Sequence, residues 1–241
     1  MGLHVITGAS AGMGRATVLA LAERSESVVA VARREKALSD LAAAAPPTIE
    51  PVVGDVGASE TVDRIVAAVD GRPVIGIVHA AATPVNLDPW IELDADELTE
   101  HFRVHVAAPI ALTGALLAGG TVKRVVILDS YSATTPRVGW AAYSILKAGV
   151  QMAFRAAADE LDGVIVARVF PGAVDTPLLQ RVLDASPDIE ATGFYRELAQ
   201  MGRVSDVTDI GRSIAELLVD VPDHDFAAKD TWHIGHSISI G

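Results

Sequence analysis

Short apolar runs alternate with segments of helical spacing along almost the whole chain, and this rhythm constrains the fold more than any other feature. Seven strands are predicted, each rich in Val, Ile, Leu or Ala, at residues 3–7, 27–32, 49–53, 73–78, 122–128, 164–170 and 231–234. Strands that alternate with helices favour a parallel sheet with helices on both faces. The sequence therefore predicts a doubly wound α/β fold, with residues 1–241 as a single domain.

Glycines and polar residues follow directly on several predicted strands. They are the glycine-rich turn 8–14, Asp55, His79, Ser130 and Pro171. Helical patterns at 35–44, 59–69, 206–219 and, longest of the four, at about 94–117 supply the covering layers. Ligands of doubly wound sheets bind at the carboxyl ends of the strands. We therefore predict a binding site where these strand ends meet.

Charge and residue types exclude several classes of protein. With 19 Lys+Arg against 31 Asp+Glu, the formal net charge is -12, which argues against a nucleic-acid partner because such partners need clustered cations. The absence of Cys excludes disulfides, thiolate nucleophiles and Cys-ligated metals, and we expect no metal site. No apolar run approaches the ~20 residues that span a bilayer, and the first strand begins too early for a leader. We expect a soluble cytoplasmic chain without a membrane anchor.

Tyr143 and Lys147 lie four residues apart in a helical pattern, and Ser130 ends the strand before it. Residues at this spacing share one helix face. An ammonium close to a phenol stabilises the phenolate, so we expect the pKa of Tyr143 below its usual value of about 10. The pair could then exchange a proton with a substrate oxygen that Ser130 holds. The alternative is a chance pair on a solvated helix face.

The turn 8–14 reads Gly-x-x-x-Gly-x-Gly between the first strand and a helix. In this arrangement the free N–H groups at the helix start bind a pyrophosphate. The alternative is a plain tight turn.

Arg33 and Arg34 follow the second strand, where the adenosine ribose of a dinucleotide lies. An acid at this place would bind the ribose 2′-hydroxyl, whereas Arg accommodates a 2′-phosphate. The pair therefore favours NADP, unless both residues are ordinary solvated arginines.

Five segments together resemble the short-chain dehydrogenase/reductase family over nearly the whole chain. They are the turn 7–14, the pair Asp55-Val56, the set Ser130, Tyr143 and Lys147, the stretch 171–176, and the stretch 202–204. The resemblance implies a Rossmann-type domain, a hydride passed between NADP(H) and a carbonyl/alcohol substrate, and a homodimer or homotetramer. It implies that Tyr143 is the acid/base, Lys147 its neighbour and ribose ligand, and Ser130 the holder of the carbonyl oxygen. The positions it assigns to the cofactor are Gly8, Ser10, Gly12, Met13, Gly14, Arg33, Arg34, Asp55, Val56, Ala81, Tyr143, Lys147, Pro171, Gly172, Val174 and Thr176.

The chain departs from the pattern of this family at three places. Ala11 stands where NADP-linked members often carry a basic residue, and the stretch 79–82 replaces the usual Asn-Asn-Ala-Gly with an expected effect on packing. His105 stands at the position of the fourth catalytic residue, usually Asn, so it is either a relay member or a buried structural His. If it is a relay member, activity should fall on acidification near pH 6.5. These departures leave open a catalytically silent dinucleotide-binding protein, and an NAD-linked enzyme as a third alternative.

Residues 177–201 are expected to form a substrate lid, rich in apolar side chains but also carrying Asp184, Asp188 and Glu190. Trp90, Tyr131 and Trp140 are expected to wall an apolar pocket with it. The alternative is that these aromatic residues serve packing or a subunit contact.

Overall fold

A computed structural model describes residues 2–45, 47–84, 86–185, 189–229 and 231–236. Its centre is a seven-stranded sheet in which every neighbouring pair runs parallel. The strands of this sheet are β1 (Leu3–Thr7), β2 (Ser27–Ala32), β3 (Ile49–Val53), β4 (Val74–His79), β5 (Val122–Leu128), β6 (Ile165–Phe170) and β9 (Thr231–His233). Two short strands, β7 (Ala173–Val174) and β8 (Val204–Ser205), pair separately.

The strand order β3-β2-β1-β4-β5-β6-β9 confirms the doubly wound prediction. The order reverses between β1 and β4, and a crevice opens at such a point. The bounds of β1, β2, β3 and β5 are those predicted. β4 begins one residue later than expected, after Pro73, which has no N–H to donate to the ladder.

In the part of the chain that the structure describes, ten α-helices surround the sheet. They are α1 (Gly12–Glu23), α2 (Glu35–Ala44), α3 (Ser59–Val69), α4 (Ala95–Phe102), α5 (Ala108–Gly119), α6 (Ala141–Glu160), α7 (Pro177–Asp184), α8 (Glu190–Gln200), α9 (Val207–Val219) and α10 (Asp223–Ala227). The described residues also form single 3₁₀ turns at Trp90–Glu92 and Tyr131–Ala133.

The long helix predicted at about 94–117 is interrupted. A π-helical turn at Arg103–Ala107 separates α4 from α5, and Asp94 caps α4 by accepting the backbone N–H groups of Asp96 and Glu97 at 2.9 and 2.8 Å. The stretch Ala95–Gly119 is long and apolar enough, by length and composition, to cross a membrane, which corrects the expectation that no such stretch exists. Val104, Leu112 and Leu116 on it are buried in the core, and core helices of globular domains pass the same test.

The hydrophobic core forms a layer on each face of the sheet. One layer contains Val18 and Leu21 of α1 with Ile214 of α9. The other contains Leu112 of α5 and Phe154 of α6. Helices therefore cover both faces, as predicted, and only the strand ends are left to carry the site.

The contact between α1 and α9 depends on Gly211. A Cβ at this position would lie 2.5 Å from the backbone carbon of Ala16. We expect Gly211→Ala to lower the free energy of unfolding by about 1–3 kcal/mol, because an overpacked core must shift. Gly114→Ala on α5 is the matched control: no described atom lies within 4 Å of a Cβ there, so the helix gains about 0.8–1 kcal/mol. Urea unfolding measures both variants, and a stable Gly211→Ala protein would contradict this account.

Candidate active site

Two adjoining cavities open at the carboxyl edge of the sheet. The larger, of about 440 Å³, covers the glycine turn and the ends of β1, β2 and β4. The smaller, of about 100 Å³, lies over the ends of β5 and β6. Met13, Thr176 and Leu178 line both, so the two cavities form one groove.

The glycine turn is built for close backbone approach. Gly8 has φ +68°, and a Cβ on it would lie 2.5 Å from the Ala80 carbonyl oxygen. Gly14 packs in turn on Gly8, where a Cβ would lie 2.6 Å from the Gly8 carbonyl oxygen. α1 begins at Gly12 with no side-chain cap from Ala11, so its first N–H groups are available to an anion at the cavity. Only glycine fits this course of the chain.

The outer end of the larger cavity carries the arginines. Arg34 donates from Nε to the Ser10 hydroxyl at 3.1 Å and is the N-cap residue of α2, whose bounds are those predicted. Arg33 is exposed and close enough to Asp55 to lower its pKa. Arg181 of α7 lines the same cavity, a position that the sequence interpretation missed. This end of the groove is therefore suited to an anionic group.

Asp55 is held by a residue that the sequence interpretation also missed. Its Oδ2 accepts Arg103 Nη2 at 2.9 Å, and its Oδ1 accepts the backbone N–H of Gly57 at 2.9 Å. The Arg103 hydrogen bond is the largest cause that lowers the pKa of Asp55, so the carboxylate stays ionised.

Almost all the residues predicted for the cofactor line this groove. Those on the larger cavity are Gly8, Ser10, Gly12, Met13, Arg33, Arg34, Asp55, Val56, Ala81 and Thr176. Those on the smaller are Met13, Tyr143, Lys147, Pro171, Gly172, Val174 and Thr176. Gly14 is not among the described lining residues, and it packs against Gly8 within the glycine turn.

Ser130, Tyr143 and Lys147 line the smaller cavity together. α6 carries Tyr143 and Lys147 one turn apart, and Lys147 Nζ donates to the Leu128 carbonyl at 2.7 Å. Ser130 follows β5, and its Oγ accepts the backbone N–H of Ser132 at 3.2 Å. The strand end and the helix start thus bring the three predicted catalytic side chains to one wall.

The pKa values differ from the expectation. Burial raises the pKa of Tyr143 to about 12, and a hydrogen bond with Ser130 offsets this only in part. The expected lowering by Lys147 is absent because Lys147 is directed to the Leu128 carbonyl, with Nζ 5.6 Å from the centre of the Tyr143 ring. Burial lowers the pKa of Lys147 to about 8, with Asp129 opposing it. Both groups are therefore protonated at neutral pH.

His105 is buried in the π-helical turn rather than among the described residues that line the cavities. Its Nε2 accepts the Thr83 backbone N–H at 3.0 Å and lies 3.1 Å from Thr83 Oγ1. Thr83 Oγ1 lies 2.5 Å from Nδ1 of His101, whose Nε2 lies 3.2 Å from Glu97. A chain of polar groups thus connects His105 with the half-buried Glu97, and its outer members were not predicted from the sequence.

The titration expected of His105 near pH 6.5 is wrong. Burial is the main cause, and the charge of Lys147 the second, that lowers its pKa to about 3. His105 is therefore neutral throughout the usual assay range. We expect the pH–rate profile of His105→Asn to have the same shape at acidic pH as that of the wild type. Turnover should fall by at most about tenfold, the equivalent of one neutral hydrogen bond. An acid limb that only the wild type shows, measured side by side, would restore the earlier expectation.

The departure at 79–82 has the packing role expected of it. His79 is buried, its Nε2 lies 2.9 Å from Thr113 Oγ1, and its ring packs on Phe154. The backbone N–H groups of Ala80 and Ala81 both donate to Thr7 Oγ1 at 3.1 Å, which fixes the approach to the glycine turn.

Aromatic side chains wall the smaller cavity. Tyr143 packs edge-on against Trp140 at 4.4 Å, and Trp140 stacks on Tyr195 of α8 at 5.3 Å. Tyr131 lines the cavity as expected. Trp90 is 70% exposed and lies outside the described lining, so the expectation that it walls the pocket is wrong.

The segment predicted as a lid contributes much of this wall. Its lining residues are Leu178, Leu179, Val182, Phe194 and Tyr195. The Arg137 guanidinium lies 3.7 Å from the centre of the Phe194 ring and 3.6 Å from Glu190. Asp188, named with the predicted lid, lies outside the described residues.

Comparisons with known proteins show which family this chain resembles in sequence and fold. The sequence profile of the family described as short chain dehydrogenase matches residues 3–186. Sepiapterin reductase of Xenopus tropicalis is 29% identical over 90% of each chain. Carbonyl reductase (NADPH) 2 of Sus scrofa is also 29% identical, over 90% of this chain and 88% of its own. The structure of L-sorbose reductase from Gluconobacter frateurii, complexed with NADPH and L-sorbose, superposes with a TM-score of 0.82 over 98% of this chain and 95% of its own, at 21% identity.

Proposed function

This chain belongs to the short-chain dehydrogenase family of oxidoreductases, and from that membership we propose that it is an NADP(H)-dependent carbonyl reductase. The observation that carries the proposal is the junction of the two cavities. A groove that would fit a dinucleotide meets the smaller cavity, which has both aromatic and polar lining, at a wall that holds Ser130, Tyr143 and Lys147. The names of the reductases similar to this chain support the direction.

The residues of the larger cavity fit NADP(H). The glycine turn leaves the first N–H groups of α1 available to a pyrophosphate, and a Cβ at Gly8 would clash with the Ala80 backbone on which the turn packs. Arg33 and Arg34 would hold the 2′-phosphate, and Ala32 beside them brings no carboxylate to repel it. Asp55 and Val56 would contact the adenine side.

The smaller cavity would carry out the proton chemistry. When bound, the nicotinamide supplies the hydride. Tyr143, protonated below its pKa of about 12, would donate its proton to the carbonyl oxygen, and Ser130 would hold that oxygen by a hydrogen bond. Lys147 would bind the ribose and attract the anionic cofactor. His105 would take part in proton exchange through Thr83.

The lid belongs to the same proposal. We assign residues 177–201, which include α7 and α8, to the substrate side of a single domain spanning residues 1–241. The support is the contact of Leu179 and Tyr195 with the smaller cavity.

We further propose that copies of this chain associate in the cytoplasm as a homodimer or homotetramer. The support is a set of exposed apolar side chains on neighbouring helical segments: Phe102, Ile110 and Met152. Native mass measurement tests the association.

The direct test uses the purified protein with NADPH and a panel of aldehydes, ketones and vicinal dicarbonyls. We expect loss of NADPH absorbance with at least one carbonyl, and a slower reaction with NADH. Tight NADPH binding without turnover on the whole panel would instead favour the silent dinucleotide-binding protein.

A further inference from the structure

Asp129 is a buried carboxylate inside the wall of the smaller cavity. It comes directly after β5 and before Ser130, and its side chain is 0% exposed. A buried carboxylate is costly unless it is paired and hydrogen-bonded. Because this cost is met beside the proposed catalytic residues, Asp129 is a candidate for a role in the site.

Both carboxylate oxygens of Asp129 accept hydrogen bonds. Oδ1 accepts the backbone N–H of Ser130 at 2.7 Å, and Oδ2 accepts Gln151 Nε2 at 2.9 Å. Arg168 of β6 approaches Oδ2 from the neighbouring strand at 3.4 Å. These contacts fix the carboxylate between two strands and α6, and they fix the backbone that presents Ser130.

Asp129 also lies beside Lys147. Lys147 Nζ donates to the carbonyl of Leu128, the residue before Asp129, and Gln151 follows Lys147 by one turn of α6. The titratable or charged groups around this pair are Tyr143 on the same helix, His105 on the π-helical turn and Arg168 on β6. Among them Asp129 supplies the negative charge.

We propose that Asp129 is a positioning residue of the active site, which orients Ser130 and keeps Lys147 in its ammonium form. The inference rests on the proposed function, because it assigns a role to residues of that site. Burial lowers the pKa of Lys147 to about 8, and the charge of Asp129 acts in the opposite direction. Lys147 is thus an ammonium below about pH 8 and loses its proton as the pH rises through that value.

The test compares the alkaline limb of the pH profile, the fall in turnover or NADPH affinity at high pH, between Asp129→Asn and the wild type. Without the carboxylate, the pKa of Lys147 falls further, so we expect the limb to move down by about 1 pH unit or more. Two readouts follow it: the pH dependence of turnover, and the pH dependence of NADPH affinity by titration calorimetry, since the ammonium attracts the anionic cofactor. A merely structural role would lower activity at every pH and leave the limb in place.

Two further variants keep the test decisive. Asp129→Glu retains the charge, so we expect its limb near the wild-type pH even if turnover falls. Arg168→Gln removes the cation that faces Asp129, so we expect the alkaline limb of this variant to move to higher pH. This variant replaces Asp129→Asn in the test if that protein does not fold. An unmoved limb in a folded Asp129→Asn protein, or an unmoved or lowered limb in Arg168→Gln, overturns the inference.

The two readouts separate this inference from the proposed function. If no carbonyl is reduced but the NADPH affinity limb moves as expected, the proposed function fails and the role of Asp129 stands. If carbonyls are reduced and both limbs are unmoved, the proposed function stands and the role of Asp129 fails.

Discussion

Tyr143→Phe is expected to lower turnover by about 10²- to 10⁴-fold, the usual contribution of general acid–base catalysis, while NADPH affinity stays near the wild-type value. The substitution removes one hydroxyl and retains the ring that packs on Trp140 at 4.4 Å. The wall of the cavity therefore keeps its shape, and the carbonyl oxygen loses its proton donor. Single-turnover rates and calorimetric NADPH titrations measure the two effects separately.

Tyr195→Phe is the matched control for that variant. Tyr195 lines the same cavity, is partly buried like Tyr143 and stacks on Trp140, and desolvation likewise raises the pKa of its phenol. Because no proton transfer is assigned to it, we expect a much smaller loss. Equal losses in both variants, or wild-type turnover in Tyr143→Phe, would end the case for Tyr143 as the acid. Lost NADPH binding would show that Tyr143 is a structural residue.

Arg33→Ala is expected to weaken NADPH binding by about tenfold to a hundredfold and to spare NADH. The estimate comes from the roughly 1.5–3 kcal/mol of a hydrogen bond to a charged group, at 1.4 kcal/mol per decade of affinity. Arg33 is exposed at the outer end of the larger cavity, where it contributes to the field on Asp55. A 2′-phosphate placed there would meet its charge directly.

Arg24→Ala is the control for charge alone. Arg24 lies at the far end of α1, 3.4 Å from Asp220, and is outside the described lining of both cavities. Removing it changes the net charge by the same amount and should leave both cofactors unaffected. Parallel losses for NADPH and NADH in Arg33→Ala, or a wild type that prefers NADH, would contradict the NADP assignment.

The strands and the edge of the sheet that carries the site could be predicted from the sequence. Apolar runs give the bounds of β1 and β2 because buried parallel strands tolerate little else. The bounds of the edge strand β3 were also predicted, although Glu50 and Pro51 on it are exposed. Parallel order then places every strand end on one edge, so the meeting of the glycine turn, Ser130 and Tyr143 follows without knowledge of any contact.

Other features depend on tertiary packing and leave no local pattern. The π-helical turn at Arg103–Ala107 interrupts a stretch whose composition is typical of one continuous helix. The pairing of Asp129 with Arg168 joins residues far apart in sequence, as does that of His105 with Thr83. The pKa of Tyr143 was expected in the wrong direction because the spacing shows its neighbour Lys147 but not the depth of its burial.

The position of Trp140 has an optical consequence. The chain has three tryptophans, and Trp140 is 5% exposed, enclosed between Tyr143 and Tyr195 in the wall of the smaller cavity. We expect Trp90, at 70% exposed, to emit as an indole in water, and the buried Trp140 to emit at shorter wavelength. A ligand that enters the cavity and moves Tyr195 changes that short-wavelength component first. The intrinsic fluorescence of the protein can therefore rank candidate substrates by occupancy before any of them is known to be turned over.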